Sequence, residues 1–312
     1  MNKYIKKIVN SKLVQVPVST SKRLVLPGFD GFPIYDVIRF FIMGVQKNSL
    51  TTRASSLAFR FFLAIFPTII FLFSIIPYIP IKNFHAQLLE LIQQVLPANA
   101  YELTESTITD LISNKNTGLL SFGFIFALYL ASDGVNAMIL AFNDSFHSIK
   151  KSSFIATRLR SLLLLFILTL LMITAIGLIV FSEIIINYLV AHQYLYNDFS
   201  IYAIRFGKFL ILLLLFFLGI SSLYYIGNTR HNKFKFISAG STLATLLSIL
   251  LSFGFAYYVN NFATYNKIYG SIGTLIVVML WLYFNSLVLL IGFELNASIG
   301  HAKETRIKKE NQ

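Results

Sequence analysis

Two charged residues stand where charge is expensive: Arg60 and Asp133, each deep inside a long apolar run. An ionised side chain at the centre of a hydrocarbon layer costs on the order of 3 kcal/mol and usually marks a pathway, a site or a partner. At 1.5 Å of rise per residue, both lie roughly 10–14 Å from the same end of their runs. Matched depth and opposite sign predict an Arg60–Asp133 ion pair. One reading makes the pair a substrate or ion site in a cavity lined by Arg60, Asp133, Asn136 and Asn285. The other makes it a structural pair that sets the register of two helices in a tightly packed bundle. Glu294, near the end of the last apolar run, completes the set of candidate intramembrane polar residues.

Other chemistry is sparse. The histidines His85, His147, His192, His231 and His301 are scattered along the chain, and cysteine is absent. Hydrolysis at a metal needs clustered His, Asp and Glu at ligand spacing, and no such cluster is visible. Zinc-protease, phosphate-loop and nucleophile-elbow patterns are missing as well. We therefore expect no catalytic residue, no bound metal, no cofactor and no enzymatic activity.

The elements that hold these residues are six long apolar stretches: 54–78, 118–142, 162–186, 206–226, 237–259 and 271–296. Each reaches the ~20 residues an α-helix needs to cross ~30 Å of hydrocarbon. The expected fold is all-α, a polytopic six-helix transmembrane bundle. Orientation follows from the basic residues. Lys3 to Arg53, Lys150 to Arg160, Arg230 to Lys235 and Lys303 to Lys309 all fall on one side of an alternating topology, which predicts that both termini are cytoplasmic. The net charge of +13 is then explained by topology and by attraction to anionic lipids at the cytoplasmic face, which argues against a nucleic-acid surface.

Residues 1–33 form a basic cytoplasmic segment divided by Pro17, Pro27 and Pro33, and residues 303–312 a basic cytoplasmic tail; between them, 34–302 form the membrane domain. Ile34, Val37, Ile38, Phe41 and Val45 share one helical face, too short and polar to span, so an interfacial helix is expected there. Pro67 removes a backbone hydrogen bond inside the first span and predicts a kink. The loop 81–117 carries two amphipathic patterns, which predict a small extracytoplasmic helical cap. Glycines such as Gly292 are expected to let helices approach closely.

Two segments carry a family resemblance: Arg53–Pro67 (RASSLAFRFFLAIFP) and Tyr269–Ala297 (YGSIGTLIVVMLWLYFNSLVLLIGFELNA), joined by Ala141–Phe146 (AFNDSF). They resemble the YihY/BrkB family of bacterial inner-membrane proteins, formerly labelled ribonuclease BN. The resemblance covers most of 46–302 and implies six spans in the bacterial cytoplasmic membrane. It suggests a transporter or lipid/solute translocator of unidentified substrate. A non-catalytic envelope-maintenance or assembly role and, from the old label, a membrane-bound ribonuclease stay as alternatives. Expected partners are membrane lipids and a transported solute or lipid, with the oligomeric state open.

Overall fold

The computed structural model describes residues 24–25, 33–47, 49–78, 106, 109–110, 115, 117–144, 153–192, 198–228, 235–261 and 271–310. Nearly all of them are helical, and among them no strand forms beyond one isolated bridge between Val25 and Pro33. The principal helices are α1 (Ile34–Lys47), α2 (Leu50–Ile75, ending in a 3-10 turn Ile76–Tyr78), α3 (Thr117–Asn143), α4 (Phe154–Ala191), α5 (Asp198–Gly227), α6 (Ala239–Asn261) and α7 (Ser271–Glu310). The last six are each long and apolar enough to cross a membrane. The basic segment before Leu24 and most of the loop 81–117, where a helical cap is expected, lie outside the described residues.

The helices outrun the apolar stretches. α4 has 38 residues, about 57 Å at 1.5 Å each, against ~30 Å of hydrocarbon. It begins at Phe154, eight positions before the apolar run, and takes in Arg158 and Arg160. Hydropathy marks where a helix is dry; it does not mark where backbone hydrogen bonding stops, and nothing between Phe154 and Leu162 breaks a helix. α1 and α2, by contrast, are separate because Ser49 adopts φ 42°, in the left-handed region. A left-handed residue cannot continue a right-handed helix.

The chain divides into two compact units. One comprises 51–137 and 250–286, the other 1–50, 138–249 and 287–312. In the first, α2 and α3 run antiparallel in a single register. Tyr78 meets Thr117 (3.1 Å between hydroxyls), Phe71 meets Phe124 (centroids 5.3 Å), and a Cβ on Gly123 would touch the Phe71 backbone at 3.4 Å. Eleven residues on, Gly134 leaves just enough room for the Phe61 ring, 3.0 Å from its virtual Cβ. Gly123 thus faces the α2 backbone at ordinary contact distance, and Gly134, three turns on, makes room for a ring. α2 continues as helix through the buried Pro67, and the Thr68 hydroxyl donates to the Ala64 carbonyl at 2.7 Å beside it. In the same unit Phe255 of α6 packs on Trp281 of α7 at 5.0 Å.

In the second unit α4 and α5 are also antiparallel, with Gly219 facing Leu168 and Leu171. Farther along, Glu183 of α4 pairs with Lys208 and, at 3.9 Å, with Arg205 of α5. α1 joins this unit through Val37, which is fully buried against Ile299 with Ala239 and Leu295 around it. Its neighbours Ile38 and Ile42 stay exposed.

Candidate functional site

The first site is the expected ion pair. Arg60 donates from Nη1 to Asp133 Oδ2 at 2.5 Å, with the side chains 44% and 27% exposed. Arg60 is the eleventh residue of α2, and Asp133 lies ten before the end of α3, so each is about 15 Å from that end. The pair falls in the same register that Gly134 and Phe61 define, so the packing of α2 on α3 is what brings it together. Asn136, one turn beyond Asp133, is buried. Asn285 is half-buried and spends its amide on the carbonyl of Trp281 in its own helix, 2.8 Å away. The structure thus joins Arg60 to Asp133 and commits Asn285 locally.

The second site is a buried polar knot in the other unit, and most of it was not foreseen. Glu294, almost fully buried at 1% exposure, sits in α7 next to Phe293. The Phe293 ring stacks on Phe142 with centroids 4.3 Å apart, and Tyr224 closes edge-on against both. The Tyr224 hydroxyl donates to the carbonyl of Leu289 at 2.7 Å. One turn farther along α7, Asn296 accepts the backbone N–H of Gly240 through Oδ1 at 2.8 Å and donates through Nδ2 to Ser238 Oγ at 2.8 Å. The first N–H groups of a helix have no partner within it. Asn296 therefore caps α6 from a neighbouring helix.

That cap needs backbone contact, which two glycines provide. A Cβ on Gly240 would overlap the carbonyl of Gly292, and a Cβ on Gly292 would come within 2.6 Å of the Gly240 carbonyl and 2.7 Å of Ala244 Cβ. Gly292 was expected to allow close approach; its partner Gly240 was not. Asn143 ties in the end of α3, donating to Ile139 of its own helix and across to Gly227 of α5 at 3.1 Å. Three residues of the GFELNA run thus have a visible role: Gly292 for approach, Phe293 for ring packing and Asn296 for the cap. Glu183 with Lys208 was also missed. The signal was available, since opposite charges near the facing ends of successive spans meet across a hairpin.

A cavity of about 360 Å³ lies between α5 and α6, lined by Leu210, Leu213, Leu214, Phe217, Thr242, Thr245, Leu246 and Ile249. It is apolar and contains none of the four polar residues expected to line one. Among the described residues no group of three or more His, Cys, Asp or Glu could hold a metal ion.

Six spanning-length helices with intramembrane polar clusters define the chain as a polytopic α-helical membrane protein. The family model described as virulence factor BrkB matches residues 41–312, and the chain belongs to that family. It is 35% identical over 257 residues to YfkH of Bacillus subtilis, a protein described as ribonuclease-like, covering 81% of this chain and 91% of that one. It is 28% identical to a UPF0761 membrane protein of Mannheimia succiniciproducens, over 82% of this chain and 86% of the other. A UPF0761 membrane protein of Haemophilus influenzae is 24% identical over 83% of this chain and 93% of its own length. No solved structure matches.

Proposed function

We propose that this protein is a transporter of the bacterial cytoplasmic membrane, moving a solute, an ion or a lipid, with both termini in the cytoplasm and no catalytic activity. One observation carries the reading: an ion pair roughly 10–14 Å inside its apolar runs, with Arg60 still 44% exposed. A pair serving packing alone is best hidden, because exposure to hydrocarbon is costly for both charges. Exposure at that depth suits a wet path reached from one side. The reading as a non-catalytic envelope or assembly protein is favoured by a different observation, the closed knot around Asn296, Gly240 and Gly292, whose polar groups serve packing. The ribonuclease-like description of YfkH does not carry over, since the acid–base constellation such chemistry needs is not legible in this sequence.

The test is flux into proteoliposomes across a panel of ions, small solutes and labelled phospholipids. The wild type should exceed empty vesicles for at least one of them. Asp133→Asn and Arg60→Gln should each lose most of that flux while remaining folded and monodisperse. No flux above empty vesicles across the panel would remove the transport reading in favour of the scaffold.

A further inference from the structure

The cavity between α5 and α6 is a groove, walled by Leu213, Leu214 and Phe217 on one side and Thr245, Leu246 and Ile249 on the other. It offers nothing to a polar ligand. The hydroxyls nearest it are already spent: Thr242 donates to Ser238 at 3.1 Å and Thr245 to Ser241 at 2.8 Å, each a carbonyl of its own helix. Leu214 and Leu246, each more than half exposed, form its open lips. From Thr242 to Ile249 it extends about 10 Å along α6. At about 360 Å³ it lies in the size range of small-molecule sites yet is too narrow for a helix about 10 Å across. A single hydrocarbon chain fits those dimensions.

Charge identifies what that chain belongs to. Arg230, Lys233 and Lys235 precede α6, and no acidic residue occurs between Asp198 and Glu294. The Thr242 end of the groove is therefore the end nearest a purely basic stretch, which attracts an anionic headgroup at a membrane surface. We propose that the groove is a binding site for one acyl chain of an anionic phospholipid, with its phosphate at the Lys235 end. The proposal stands apart from the transport reading, because a resident lipid serves a scaffold equally well.

Native mass spectrometry of the full-length protein, with phosphatidylglycerol or phosphatidylcholine added back after delipidation, tests it. The wild type should retain one phosphatidylglycerol per chain at concentrations where phosphatidylcholine is lost. Leu214→Trp and Leu246→Trp, which fill the groove from its lips, should weaken retention at least tenfold. Leu163→Trp, on the exposed face of α4, should leave it unchanged, and Lys235→Gln should reduce the preference for phosphatidylglycerol. Because the chain has no cysteine, Leu246→Cys can carry a benzophenone label. That label should crosslink to phosphatidylglycerol more strongly than one at Leu163→Cys, a check that does not depend on the tryptophan variants folding. Equal retention and equal crosslinking at the groove and control positions would overturn the proposal. A dimer that is lost in Leu246→Trp, with no lipid retained by the wild type, would overturn it in favour of a second copy of the chain.

Discussion

A single side chain, Asn296, shows how much of this protein depends on polar groups placed to satisfy backbone. It caps the Gly240 N–H and holds Ser238, and it reaches them because Gly240 and Gly292 let α6 and α7 touch. In hydrocarbon an unpaired backbone group costs several kcal/mol, so the cap and the glycines act as one device. Gly240→Ala drives a methyl group into the Gly292 carbonyl. It should destabilise the protein by about 1–3 kcal/mol, the usual range for overpacking, read as a lowered Tm in detergent. Gly207→Ala, where an added Cβ meets nothing within 4 Å, should be neutral or slightly stabilising. Such residues are unevenly legible in the sequence. Arg60 and Asp133 were legible because charge in an apolar run is conspicuous and depth can be counted along a helix. The role of Asn296 was not, because its partners lie 56 and 58 residues away and amides occur throughout spans.

The two helix pairs α2/α3 and α4/α5 are each held in register by polar and small-residue contacts together. α2 and α3 have Arg60–Asp133 and the Gly123 and Gly134 contacts; α4 and α5 have Glu183–Lys208 and Gly219. Lys208 is mostly covered, at 17% exposure, while its partner Glu183 stays 43% exposed. Lys208→Met should lower the Tm in detergent, and Glu183→Gln should lower it to a similar extent. In a double-mutant cycle on unfolding the two losses should fall short of adding. Full additivity would mean that the contact does not stabilise the hairpin. The six long helices were legible from apolar length alone, since an uninterrupted apolar run of ~20 residues can pair all its backbone groups within itself only as a helix. Their ends were not. α4 passes beyond its apolar run at Phe154 and α7 continues through a basic tail to Glu310, because helix continuity does not require hydrophobicity. The break at Ser49 was equally hidden, being a backbone conformation that serine rarely adopts.

The whole molecule is a member of the BrkB family, with six spanning-length helices among the described residues and polar clusters that are in part exposed, as at Arg60–Asp133, and in part closed, as around Asn296. Its topology is directly testable, since any single cysteine placed in the cysteine-free chain reports alone. With both termini cytoplasmic, Lys3→Cys and Asn311→Cys in intact cells should resist a membrane-impermeant maleimide, and Asn114→Cys should react. The reverse pattern would invert the orientation drawn from the basic residues. As proposed, the Arg60–Asp133 pair works as a site and does more than hold α2 to α3. Flux through proteoliposomes carrying the double variant Arg60→Leu/Asp133→Leu tests this most directly. Removing both charges together leaves no unpaired ion in the membrane, so folding should survive. A transport site at this pair gives a folded double variant with no flux above empty vesicles. A folded double variant that transports like the wild type would contradict it and leave the pair a structural clasp.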